Sequence, residues 1–113
     1  MKKFLVLYRS SQSFADRTAP SSPEQGKAIM DAWIGWAKRT GAALVEMGSP
    51  LGASTVLPGS AGQAQGSAGQ THHRGYSIVQ AESLDAAKKL FDGHPHFEGA
   101  PAASIELIEY LPL

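Results

Sequence analysis

The sequence predicts an α+β domain of the ferredoxin-like β-α-β-β-α-β order, with helices packed on one face of an antiparallel sheet. Three observations carry this. Four short apolar segments rich in strand formers lie at 3–8 (KFLVLY), 43–47 (ALVEM), 75–81 (GYSIVQA) and 104–110 (SIELIEY). Two segments with apolar residues at helical spacing separate the first strand from the second and the third from the fourth. In series they form the split βαβ plan.

The first strand is a continuous apolar run bounded by the polar stretch 9–16, the pattern of a central strand buried on both faces. In TAPSSPEQG, Ser21 or Ser22 is the expected N-cap, with Pro23 at the first helical position and Glu24 in the first turn. The helix should run to about Thr40, with Ile29, Ala32, Trp33, Trp36 and Ala37 on its buried face and Gly41 as its stop. The second strand is expected to break at Gly48, Ser49 and Pro50. Residues 52–70 hold the pentapeptide GSAGQ twice and are almost wholly small and polar, so a mobile loop is expected there. Its glycines fit neither a dinucleotide fingerprint nor a P-loop. Ser83 should cap a second helix over 84–92, with Leu84, Ala87, Leu90 and Phe91 inward, Asp85 paired with Lys89, and Gly93 as terminator. In the last strand Ile105 and Leu107 share one face and Ile108 and Tyr110 the other. Both sides therefore need apolar cover, which predicts a homodimer.

The 113 residues suit a single domain, 1–113, with one modest core. Ten basic and ten acidic side chains cancel, so no basic field exists to attract nucleic acid or an anionic membrane. The absence of cysteine excludes disulfides and thiolate chemistry and fits a reducing compartment. No apolar stretch approaches the roughly 18 residues of a membrane span, and the N-terminal apolar run is too short for a signal peptide. A cytoplasmic protein is expected.

The most unusual stretch is FDGHPHFEG at 91–99, in which two histidines flank a proline just past the second helix. His94 is the candidate acid–base group, since imidazole titrates near neutral pH. Its position after a helix C-terminus also suits a plain helix stop. His96 is a candidate ligand contact. A metal site is not expected, because two local ligands fall short of the three or more that a stable site needs. His72 and His73, adjacent on a strand, face opposite sides and cannot chelate together. Arg9 is suited to gripping a carboxylate and Tyr76 can present a polar tip, so both are candidate ligand residues. Trp33 and Trp36, three apart, read as core or cleft wall, with Trp33 a candidate contact for a ligand. Glu46 lies mid-strand, with solvent exposure preferred over a buried base. No serine sits in a nucleophile elbow.

The segments MKKFLVLY, WIGWAKRTGAALVEMGSPL and GYSIVQAESLDAAKKLFDGHPHFEGAPAASIELIEYLPL resemble the YCII-related (DGPF-like) family. The resemblance spans nearly the whole chain apart from the glycine-rich loop. It implies a dimeric α+β barrel, two sheets packed across a two-fold axis, with a cleft between sheet and helices lined by GHPH. Relatives of this type often carry an aspartate before a proline where this chain has His94, and a histidine on the first helix near where it has Met30. The DGPF signature is absent as well, so no Asp–His pair carries over. Two function classes follow. One is a small-molecule-binding protein with His94-centred lyase or isomerase-type chemistry on a small organic acid or ketone, without a cofactor. The other is a non-catalytic dimeric regulatory or ligand-binding module, as relatives found alongside sigma factors suggest.

Overall fold

The computed structural model describes residues 1–17, 22–59 and 71–113. Its elements are β1 (Lys2–Ser10), α1 (Pro23–Thr40), a single 3-10 turn (Gly41–Ala43), β2 (Leu44–Pro50), β3 (His72–Ala81), α2 (Leu84–Lys89), the one-turn α3 (His96–Gly99) and β4 (Ser104–Glu109). The strands form one antiparallel sheet in the order β2-β3-β1-β4. The α+β fold of ferredoxin-like order is thus the one the sequence predicts.

Alternation along the two central strands divides the sheet into faces. Phe4, Val6, Tyr8 and Ser10 of β1 and Ser77, Val79 and Ala81 of β3 are buried, while Leu5, Leu7, Tyr76 and Ile78 between them are half-exposed. The buried set packs with Trp36, Ala87 and Phe91 as the core, and Trp33, Ala37, Leu90, Ile105 and Leu107 lie against it. Among the described residues, the other face carries no helix.

Ser22 caps α1: its Oγ accepts the Gln25 N–H at 3.1 Å, and Pro23 follows at the first helical position. Ser21, the alternative cap, lies outside the described residues. Gly41 takes φ 59° at the helix end, a value glycine adopts without the Cβ clash other residues meet. The N-terminal half of α1 departs from the expected stripe. Ile29 is 46% exposed and Ala32 is exposed, so burial begins only at Trp33.

Strand β2 does not stop at Gly48; it continues through Pro50 with register shifts against β3. A Cβ at Gly48 would lie 1.7 Å from the Tyr76 carbonyl oxygen, and its φ is 85°. The expected breaker is instead a bulge that lets two backbones approach.

The regular part of α2 ends at Lys89, three residues before the expected end. Leu90, Phe91 and Asp92 donate to carbonyls three residues back, and His94 donates to Phe91 in the same way. This tightening turns Phe91 and His94 inward. Asp85 pairs with Lys88 at 4.0 Å rather than with Lys89; both side chains are exposed, so the pair contributes little. Of the stretch expected to be mobile, 52–59 is described as irregular chain and 60–70 lies outside the described residues.

Candidate functional site

The GHPH segment joins α2 to β4 and is held from both sides. The Trp36 indole N–H donates to the Leu90 carbonyl at 2.8 Å, tying α1 to the end of α2. Gly93, at φ 69°, turns the chain back toward the sheet. Pro95 at φ −61° then starts α3, which neither the proline nor the short sequence HFEG had signalled.

His94 is 1% exposed and sits in a box of four rings. It stacks on Tyr8 at 5.1 Å, meets Trp33 and Trp36 edge to face at 4.6 and 4.4 Å, and lies 5.7 Å from Phe91, all between ring centroids. Its Nδ1 accepts the backbone N–H of His96 at 3.0 Å, which leaves the ring proton on Nε2. Nε2 is buried and has no hydrogen-bond partner among the described residues. Burial, helped by the positive charges of His96 when protonated and of Arg39, depresses the His94 pKa to about 3. The imidazole is therefore neutral across the physiological range.

His96 is buried as well. Its Nε2 lies 2.8 Å from the Arg9 carbonyl and 3.1 Å from the Ser104 carbonyl, a three-centre bond that requires a proton on Nε2. It thus bolts the end of β1 to the start of β4. Burial lowers its pKa, and the two carbonyl acceptors partly oppose that shift. Because the His94 nitrogen nearest His96 is committed to a backbone N–H, and His96 Nε2 to carbonyls, the two rings are not arranged as a chelate. No group of three or more metal-ligating side chains occurs among the described residues.

Trp33 belongs to this box, edge to face with Tyr8 at 5.0 Å. Tyr8 is buried, and its hydroxyl donates to Ser77 Oγ at 2.8 Å, which in turn donates to the Met47 carbonyl at 2.6 Å. Burial pushes the Tyr8 pKa up to about 12. The relay links β1, β3 and β2 through two buried hydroxyls.

Arg9 and Tyr76 are elsewhere. Both alternate onto the uncovered sheet face, opposite to Tyr8 and Ser77. Arg9 Nη1 lies 3.8 Å from Glu106, and its buried Nε has no hydrogen-bond partner among the described residues. The Tyr76 hydroxyl donates to Glu46, which is exposed, and that bond raises the Tyr76 pKa. The structure thus brings His94, His96 and Trp33 together and puts the side chains of Arg9 and Tyr76 on the opposite face of the sheet, with only the Arg9 carbonyl reaching His96. His72 is half-buried opposite Ser10, and His73 is exposed opposite Arg9.

Sequence reasoning missed Ser10 and Ser77, both buried. Ser77 alternates in phase with Val79 and Ala81, and that inward register was the available signal. Ser10 continues the buried phase of β1, and its Oγ donates to the Pro101 carbonyl at 2.7 Å. Neither histidine lines either of two surface clefts formed by the described residues, one near Arg17, Arg74 and Pro101 and the other between Phe91, Phe97 and Leu107.

No protein-family model matches the chain, and no curated protein matches it. Among the described residues no helix is long and apolar enough to cross a membrane.

Proposed function

We propose that the protein is a non-catalytic, homodimeric binding module of the kind that its resemblance to YCII-related proteins implies, with the GHPH segment acting as a structural plug. The single observation that carries this reading is the state of His94. An imidazole sealed by four rings, with a pKa near 3, neither reaches a substrate nor exchanges a proton at neutral pH. The second copy would cover the open sheet face, where Leu5, Leu7, Ile78, Ile108 and Tyr110 form an apolar surface. Arg9 with Glu106 and Glu46 with Tyr76 supply polar groups of both signs on that face, as a two-fold interface requires. In such a barrel Arg9 and Tyr76 would lie in the shared interior.

A second reading is favoured by one observation, the orphaned Nε2 of His94. A buried donor without an acceptor is the kind of group an active site holds in readiness. A thermal-shift screen of wild type and His94→Gln against small carboxylic acids and ketones separates the two. The module reading expects any ligand to raise the midpoints of both proteins alike. A ligand that stabilises wild type alone, or that is turned over, would transfer the assignment to His94-centred acid–base chemistry in a cytoplasmic enzyme.

A further inference from the structure

Beyond that reading, and independent of pairing between copies, we infer that the cleft at the end of β1 is a binding site for a small monocarboxylate, gripped by Arg17 and Arg74. Its volume, about 410 Å³, is within the range of small-molecule pockets. Gln12, Arg17, Arg74, Glu98, Ala100 and Pro101 line it.

Each arginine is placed by a specific device. Tyr8 pairs with Gly75 and Arg9 with His73, so Arg74 is the extra residue of a β-bulge. Bulges re-aim side chains, and this one brings Arg74 to the cleft. On the other edge of β3, a Cβ at Gly75 would lie 3.2 Å from the Ser49 carbonyl oxygen, so glycine there lets β2 approach closely beside the bulge. Arg17 is fixed by a turn in which Ser13 Oγ accepts the Asp16 N–H at 3.1 Å and donates to the Asp16 carboxylate at 2.9 Å. Its Nη1 donates to the Phe14 carbonyl at 2.7 Å, and its guanidinium lies 3.7 Å above the Phe14 ring. The Arg74 guanidinium is 5.9 Å from the same ring.

Two guanidinium groups thus share one aromatic ring. Neither has a carboxylate within 4.0 Å among the described residues. Burial, and then the charge of Arg17, lowers the Arg74 pKa, as expected of cations gathered without a counter-ion. The lining is also anchored at Pro101, whose carbonyl accepts from Ser10 Oγ and the Ser11 N–H at 2.7 and 3.1 Å. Glu98 supplies one negative charge to the lining. Two positive charges against one leave room for a single further negative charge, which favours a carboxylate over a phosphate dianion. Guanidinium groups suit a carboxylate's two oxygens, and the Gln12 amide can donate as well.

The test is an amide chemical-shift titration of the whole chain with benzoate, propionate, benzamide and inorganic phosphate. Expected are saturable shifts at Gln12, Arg74, Gly99 and Ala100 with one of the carboxylates at a Kd near or below about 1 mM, and none with benzamide. Arg74→Gln and Arg17→Gln should each weaken binding by about tenfold or more, and Glu98→Gln should tighten it. The spectra of these surface variants report directly whether they fold. No saturable shift with either carboxylate, equal binding by the arginine variants, or tighter binding of phosphate than of carboxylate would overturn the assignment.

Discussion

Acidification should weaken the fold through His94, and the size of the effect follows from its burial. In the unfolded chain the imidazole titrates near its ordinary value of 6.5, whereas the fold holds it at about 3. Between these values the unfolded state binds more protons, so stability is fully present above the unfolded pKa and falls with pH until about 3. From about pH 7.5 to pH 5 the loss amounts to about 2 kcal/mol, and any folded pKa below about 4 gives nearly the same figure. Urea unfolding at a series of pH values measures it, with His94→Gln as the comparison. Glutamine can still accept the His96 N–H but does not titrate. The variant should be less stable at neutral pH, by about 2–4 kcal/mol, through loss of the ring contacts. The decisive quantity is the difference in pH slope. His96 and every other ionisable group are common to both proteins, so their contributions largely cancel, and the variant should lose about 2 kcal/mol less over this interval. Equal slopes would show that His94 is hydrated and titrates normally, and the reasoning from its aromatic box would fail.

Two further perturbations probe the sheet. Gly48→Ala should cost more than about 3 kcal/mol, because the new Cβ would collide with the Tyr76 carbonyl at a positive φ; a urea midpoint within error of wild type would contradict the bulge. Ser77→Ala should cost about 1–3 kcal/mol by orphaning the Tyr8 hydroxyl and the Met47 carbonyl, and Tyr8→Phe should recover part of that loss in the double variant. Strict additivity of the two substitutions would mean that the hydroxyl relay is not a unit.

The fold was legible in the sequence because its signals are local and repeated. The apolar, strand-forming runs of β1 and β3, the Ser22-Pro23-Glu24 start of α1 and the Ser83 cap each act over a few residues, and each is seen where it was expected, although β1 buries one face and leaves the other half-exposed in the single chain. Boundaries set by tertiary contact were not legible. Gly48 to Pro50 resemble a terminator until β3 pairs alongside, and the early end of α2 depends on the indole of Trp36 capturing the Leu90 carbonyl 54 residues away. The candidate site divides in the same way. That GHPH matters was readable from its composition, but whether His94 faces solvent or four rings is decided by helix α1 crossing β1. Arg9 and Tyr76 were grouped with it on chemical suitability, although strand parity already put Arg9 opposite to Tyr8. The bulge that brings Arg74 to Arg17 has no local signature, since it appears only when β1 and β3 are in register.

In the dimer we propose, a second copy covers the open sheet face while the histidines stay in the core. Light scattering at micromolar concentration, on wild type and on Leu7→Arg, decides it. Wild type should scatter as twice the 11.9 kDa chain mass, and the variant, with a charge placed in the middle of the apolar face, should be monomeric with its helical spectrum retained. A wild-type mass of 11.9 kDa at tens of micromolar would contradict the account and leave the sheet face open to solvent.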